Sequence, residues 1–135
     1  MMTLARTLTI ALCAALLLAL PASAKEGVRA KAEGTVRLGG APGTTIRLTW
    51  RLVDARGGAF GAGGIYLRVT RCAGGPRRVN ARDLGNGRFT ARVVVPKGGI
   101  RMLRVGLEGW STAGGRTQRA DVFFAFDPPL VRRCR

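Results

Sequence analysis

The chain has 135 residues, with 23 Lys or Arg against seven Asp or Glu and no histidine, for a formal net charge of +16 at pH 7. That length holds one modest core. The missing histidine excludes the usual general base, the common Ser-His and Cys-His nucleophile arrangements and the commonest metal ligand, while the charge draws the chain to anions.

At the N-terminus Arg6 precedes a mostly apolar run, Leu8 to Leu20, that ends in Pro21-Ala22-Ser23-Ala24. This is the pattern of a secretory signal peptide with an A-x-A cleavage site. The run holds 13 residues, short of the roughly 18 a membrane-spanning helix needs, and no second run follows, so no transmembrane segment is predicted. Cleavage is expected to remove residues 1–24, Cys13 among them, and to release 25–135 as a single secreted domain, periplasmic or extracellular. Loss of Arg6 leaves 22 basic and seven acidic side chains, a net charge of about +15.

Beyond the leader, period-two alternation dominates and helical spacing is absent. Seven strands are predicted, at 28–38, 45–53, 64–71, 77–84, 88–95, 100–109 and 120–127, separated by glycine-rich breaks such as Gly57-Gly58 and Gly74-Gly75. In the second, Ile46, Leu48, Trp50 and Leu52 alternate with Arg47, Thr49 and Arg51; in the fifth, Phe89, Ala91, Val93 and Val95 alternate with Arg88, Thr90 and Arg92. The fourth and fifth are joined through Gly85-Asn86-Gly87, and Asn-Gly is the strongest short hairpin signal because both residues accept positive φ. Seven short strands in this length predict an all-β, seven-stranded immunoglobulin-like antiparallel β-sandwich, in which the second and fifth strands are neighbours.

Cys72 and Cys134 outlast cleavage, and an oxidising compartment favours a disulfide between them. In the sandwich the third and seventh strands run parallel and end at one pole. Crossing the strand between them takes roughly 10 Å, twice the interstrand spacing, which the Pro128-Pro129-Leu130 tail can span. The bond is expected to pin the tail.

Candidate chemistry is sparse. Lys97 beside Gly98-Gly99 lacks both the P-loop spacing and a following helix, so Pro96 and the glycines read as the corner between two strands. The acids Glu26, Glu33, Asp54, Asp83, Glu108, Asp121 and Asp127 are scattered, and no metal-site spacing or cofactor motif occurs. The polar faces are more informative. Arg47 and Arg51 flank Thr49, Arg88 and Arg92 flank Thr90, and neighbouring strands would put both rows on one outer face. Like charges directly opposite are destabilising. Such a face needs relief from acids of adjacent strands, from register offset, or from an anion gripped by the guanidinium fork; the alternative is a face that is only solvated. Trp110, in the loop after the sixth strand, is the aromatic candidate for contact with a ligand; the alternative is a ring folded over the end of the core.

The run Gly87-Arg88-Phe89-Thr90-Ala91-Arg92-Val93, followed by Pro96, Gly98-Gly99 and Val105, resembles the G-x-[YF]-x-A-x-V…P…G…V signature of bacterial secreted Ig-like domains such as the YtkA-like and FixH-like domains. The resemblance implies a sandwich fold and, for part of that group, copper handling or oxidase assembly. The histidines and methionine clusters of such a role are missing here, so no metal ligand is carried over. The expected function is that of a non-enzymatic secreted binding or accessory module contacting an anionic polymer or envelope protein. Nucleic acid is disfavoured because the chain is exported and most aromatics are placed for a core. The alternatives are a hydrolase built on a carboxylate pair and a purely structural domain.

Overall fold

The computed structural model describes residues 26–135; the predicted leader and its cleavage site lie outside the described residues. Ten strands follow in chain order: β1 (Arg29–Ala32), β2 (Thr45–Val53), β3 (Ile65–Arg71), β4 (Arg77–Asn80), β5 (Arg82–Gly85), β6 (Arg88–Val94), β7 (Ile100–Leu107), β8 (Trp110–Ala113), β9 (Arg116–Arg119) and β10 (Val122–Val131). Eight form one sheet in the order β4-β3-β7-β10-β1-β2-β6-β5, and β8 pairs with β9 in a separate ribbon. The two outermost strands, β4 and β5, are consecutive in the chain with only Ala81 between them, and β4 comes up against β6. The sheet therefore curls until its edges meet and is nearly a barrel. Among the described residues no helix is long and apolar enough to cross a membrane.

Alternation decides what fills the interior. Successive side chains of a strand point to opposite faces, so Leu48, Trp50 and Leu52 of β2 and Phe89, Ala91 and Val93 of β6 turn inward, where they meet Leu67 and Val69 of β3, Leu103 and Val105 of β7, and Phe124 and Phe126 of β10. These residues form one buried cluster, and no polar or charged residue is buried among the described residues. Trp50 stacks on its cross-strand partner Phe89, ring centroids 6.0 Å apart, and receives the edge of Phe126 at 6.2 Å.

The architecture departs from the predicted seven-stranded antiparallel arrangement in several places, and the first strand, predicted over 28–38, ends at Ala32. The sheet is mixed, because β1 runs parallel to β10 through Ala30↔Phe126 while pairing antiparallel with β2. The predicted strand 77–84 is two strands: β4 pairs with β3 and β5 with β6, so the chain changes partner at Ala81. The stretch after β7, read as a loop, is the β8–β9 hairpin, turned at Gly114-Gly115 and cross-linked by the Thr112 and Thr117 hydroxyls at 3.1 Å. A periodicity argument marks where a chain is extended but not where it changes partner.

The predicted turns are where the sequence puts them. Gly85, Asn86 and Gly87 have φ of 84°, 58° and 73°, and β5 and β6 pair across them. At the corner after β6 the Gly99 N–H donates to the Pro96 carbonyl at 2.9 Å, with Gly98 and Gly99 at φ 88° and 93°. The last strand runs past its predicted end at Asp127. Prolines have no N–H to donate, so the β7 ladder breaks between Ala125 and Leu130 and resumes with Leu130↔Leu103 and Val131↔Met102. Both β3 and β10 are antiparallel to β7 and end at the same pole. There Cys72 and Cys134 form a disulfide with their Cα atoms 5.5 Å apart.

Candidate anion-binding site

The predicted arginine rows share one face and are in register. Across β2 and β6, Arg47 stands opposite Arg92, Thr49 opposite Thr90 and Arg51 opposite Arg88. The middle of this block is knitted by hydroxyls. The Thr90 hydroxyl donates to the Leu48 carbonyl at 3.1 Å, which leaves the Thr49 hydroxyl as donor to Thr90 Oγ1, also at 3.1 Å. Both hydroxyl protons are thereby spent, and the guanidinium groups supply the free donors of the face.

The two arginine pairs differ in their counter-ions. Arg88 forms a two-pronged bond to Glu33, Nε to Oε1 and a terminal nitrogen to Oε2, both 2.7 Å, and Arg51 Nε reaches the same Oε1 at 3.2 Å. Glu33 is held there because its backbone N–H, one residue past β1, continues the ladder by donating to the Thr49 carbonyl at 2.8 Å. The hydrogen bond from Arg88 leads the effects that bring the Glu33 carboxyl down from 4.5 to about 2, with Arg51 adding to it. A carboxyl depressed by folding stabilises the fold above its unfolded value and loses that contribution as pH falls through its folded one. Wild type is therefore expected to be more stable than Glu33→Gln at pH 7 and to lose the difference as pH falls from about 4.5 toward 2. Urea midpoints of both proteins across this range check it; a gap independent of pH would mean that Glu33 does not act through its charge.

At the other end of the block Arg47 and Arg92 have no carboxylate within ion-pair distance among the described residues. Instead they line a groove of about 530 Å³ with Thr49, Thr90, Asn80 and Arg82. Arg82 arrives through a bulge. The pairing of β5 with β6 shifts between Asp83 and Gly85, so that Arg82, not Asp83, stands opposite the outward-facing Thr90. Three guanidinium groups without a counter-ion among the described residues thus surround one concavity, an arrangement suited to a sulfate, phosphate or carboxylate group.

Trp110 belongs to a different cluster. It is 64% exposed at the root of the β8–β9 ribbon, opposite Arg119, whose guanidinium lies 5.4 Å from the ring centre. Arg119 pairs with Asp121 and, at 3.4 Å, with Glu108, which also pairs with Arg78. The Tyr66 hydroxyl donates to Asp121, and its ring lies against Gly106, where a Cβ would come within 2.2 Å of it. The two carboxylates Glu108 and Asp121 thus share one partner, Arg119. Arg119, and next the Tyr66 hydroxyl, hold the Asp121 carboxyl well below the usual carboxylate range, whereas a general acid needs its pKa raised. Burial, followed by the bond to Asp121, pushes the Tyr66 phenol up. Among the described residues no three His, Cys, Asp or Glu side chains gather into a metal-binding group.

Glu33, Asn80 and Arg82 are the site residues that alternation did not single out. The nearest sequence signal was Arg82 itself, three residues before the Gly85-Asn86-Gly87 turn, but its face depends on the bulge. The chain matches no protein-family model, no curated protein and no solved structure.

Proposed function

We propose that this chain is a secreted, non-enzymatic immunoglobulin-like module that binds an anionic extracellular or envelope partner through the Arg47–Arg82–Arg92 groove. The observation that carries the reading is the register Arg47↔Arg92. Like charges are set directly opposite with no acid among the described residues to relieve them, while the equivalent pair four residues along receives Glu33. Opposed like charges cost stability, and an anion seated between them would offset that cost.

Two features support the Ig-like part. The strand order β5-β6-β2-β1 on one half and β4-β3-β7-β10 on the other parallels the D-E-B-A and C′-C-F-G arrangement of Ig-type sheets. The β6 run Gly87 to Val93 carries the resemblance to secreted Ig-like domains described above. Export rests on the leader pattern alone.

The test is binding to immobilised heparin at low salt, comparing wild type with Arg47→Gln/Arg92→Gln and with Arg56→Gln/Lys97→Gln, which removes the same charge from turns elsewhere. Charge-assisted hydrogen bonds contribute about 1.5–3 kcal/mol each, so the groove variant is expected to bind at least roughly tenfold more weakly and the turn variant close to wild type. Equal losses in both would assign the binding to net charge and remove the site.

A further inference from the structure

The opposite outer face carries a second arginine row. Arg68 of β3 stands opposite Arg78 of β4 on one side and Arg104 of β7 on the other, which sets three arginines on adjacent strands whose backbones lie roughly 5 Å apart. Arg78 is paired with Glu108 and lies over the Tyr66 ring, 4.3 Å from its centre, and Arg68 lies over Phe123 at 4.4 Å. Arg104 is exposed, with no carboxylate in ion-pair range among the described residues.

This row is not separate from the groove. Arg78 Nε donates to Asn80 Oδ1 at 3.4 Å, and Asn80 lines the groove with Arg47, Arg82 and Arg92. The link crosses the seam of the near-barrel, where Ala81 alone separates β4 from β5. Arg104, Arg68, Arg78, Arg82, Arg92 and Arg47 therefore follow one another in a belt from one outer face over the seam to the other.

We infer that the belt is a single track for a linear anionic polysaccharide, a proposal that rests on the anion-binding reading of the groove and extends it. Arginines repeated from strand to strand over two faces suit a chain with a repeated charge better than one compact anion. The rings on the belt argue for sugar over nucleic acid. Bases bind such surfaces by stacking on aromatic side chains, and Tyr66 and Phe123 each already carry a guanidinium on one face.

The experiment measures binding of a heparin tetrasaccharide, a heparin dodecasaccharide and single-stranded DNA of matched charge over a range of salt. The proteins are wild type, Arg47→Gln/Arg92→Gln, Arg104→Glu and Arg68→Gln. Arg104 has no ion-pair partner to lose, so its reversal spares the fold, and thermal melts verify the other variants. The track predicts that Arg104→Glu weakens the dodecasaccharide about tenfold and lowers the steepness of its salt dependence by roughly one to two charges, leaving the tetrasaccharide unchanged. If Arg104→Glu and Arg68→Gln bind the dodecasaccharide like wild type while the groove variant is weakened, the track is overturned and the groove stands. If no variant differs from wild type, both fall. DNA binding as tight as the dodecasaccharide and equally sensitive to the variants would overturn the assignment to polysaccharide.

Discussion

Replacing Cys72 and Cys134 together by alanine is expected to lower the unfolding free energy by about 4 kcal/mol. The bond spans 62 residues of sequence, and in the chain-entropy model closing a loop of that size removes about that much freedom from the unfolded state. Small domains have only about 5–15 kcal/mol in all, so the double variant should lose a large part of its stability. The bond has a structural task as well. The prolines interrupt the ladder between β10 and β7 between Ala125 and Leu130, and beyond the break the tail is held by Leu130↔Leu103, Val131↔Met102 and one further bond from the Arg132 N–H to the Arg101 carbonyl at 2.8 Å. Urea unfolding of the oxidised protein, the dithiothreitol-reduced protein and the double variant measures the effect. A loss under about 1 kcal/mol would show that the resumed ladder holds the tail unaided, and that the unfolded chain is already compact enough for the cross-link to matter little.

Trp50→Ala is expected to cost about 3–5 kcal/mol, the usual range for truncating a large buried aromatic. The ring is fully buried and joins three strands, stacking on Phe89 of β6 and meeting the edge of Phe126 of β10. Its indole Nε1 is buried with no hydrogen-bond partner among the described residues, and an orphaned donor costs about 1–3 kcal/mol. Trp50→Phe removes that donor while keeping one ring in the stack. The two effects oppose each other, so this variant should fall within about 1 kcal/mol of wild type. Denaturation of the pair decides it: a phenylalanine variant as unstable as the alanine one would mean that the full indole volume, not the buried N–H, governs the site.

The arginine face shows how far local pattern carries. Alternation assigned Arg47, Arg51, Arg88 and Arg92 to one side of two strands, and the Asn86-Gly87 turn set β5 beside β6. Pattern could not distinguish the two arginine pairs from each other. That difference comes from Glu33, which lies 55 residues from Arg88 in sequence and reaches it only because β1 packs beside β2. Trp110 is a similar case. Its exposure follows from the β8–β9 hairpin, and its position sets it with Arg119 and Asp121, away from the arginines of β2 and β6.

From its sequence alone this protein is all-β, with its core faces, its principal turns and its disulfide assigned, because side-chain alternation, positive-φ turn residues and cysteine pairing are properties of short segments or of composition. Tertiary structure alone decided the partner exchange at Ala81, the resumption of β10 beyond its prolines, and the near-closure that joins two arginine rows across a seam. It also decided the charge of the groove. A hairpin without the bulge would turn Asp83 toward Thr90 and set an acid among the arginines, whereas the shifted register turns Arg82 there. A one-residue shift exchanges the two faces of a strand, and where that shift falls is seen only once β5 is paired with β6.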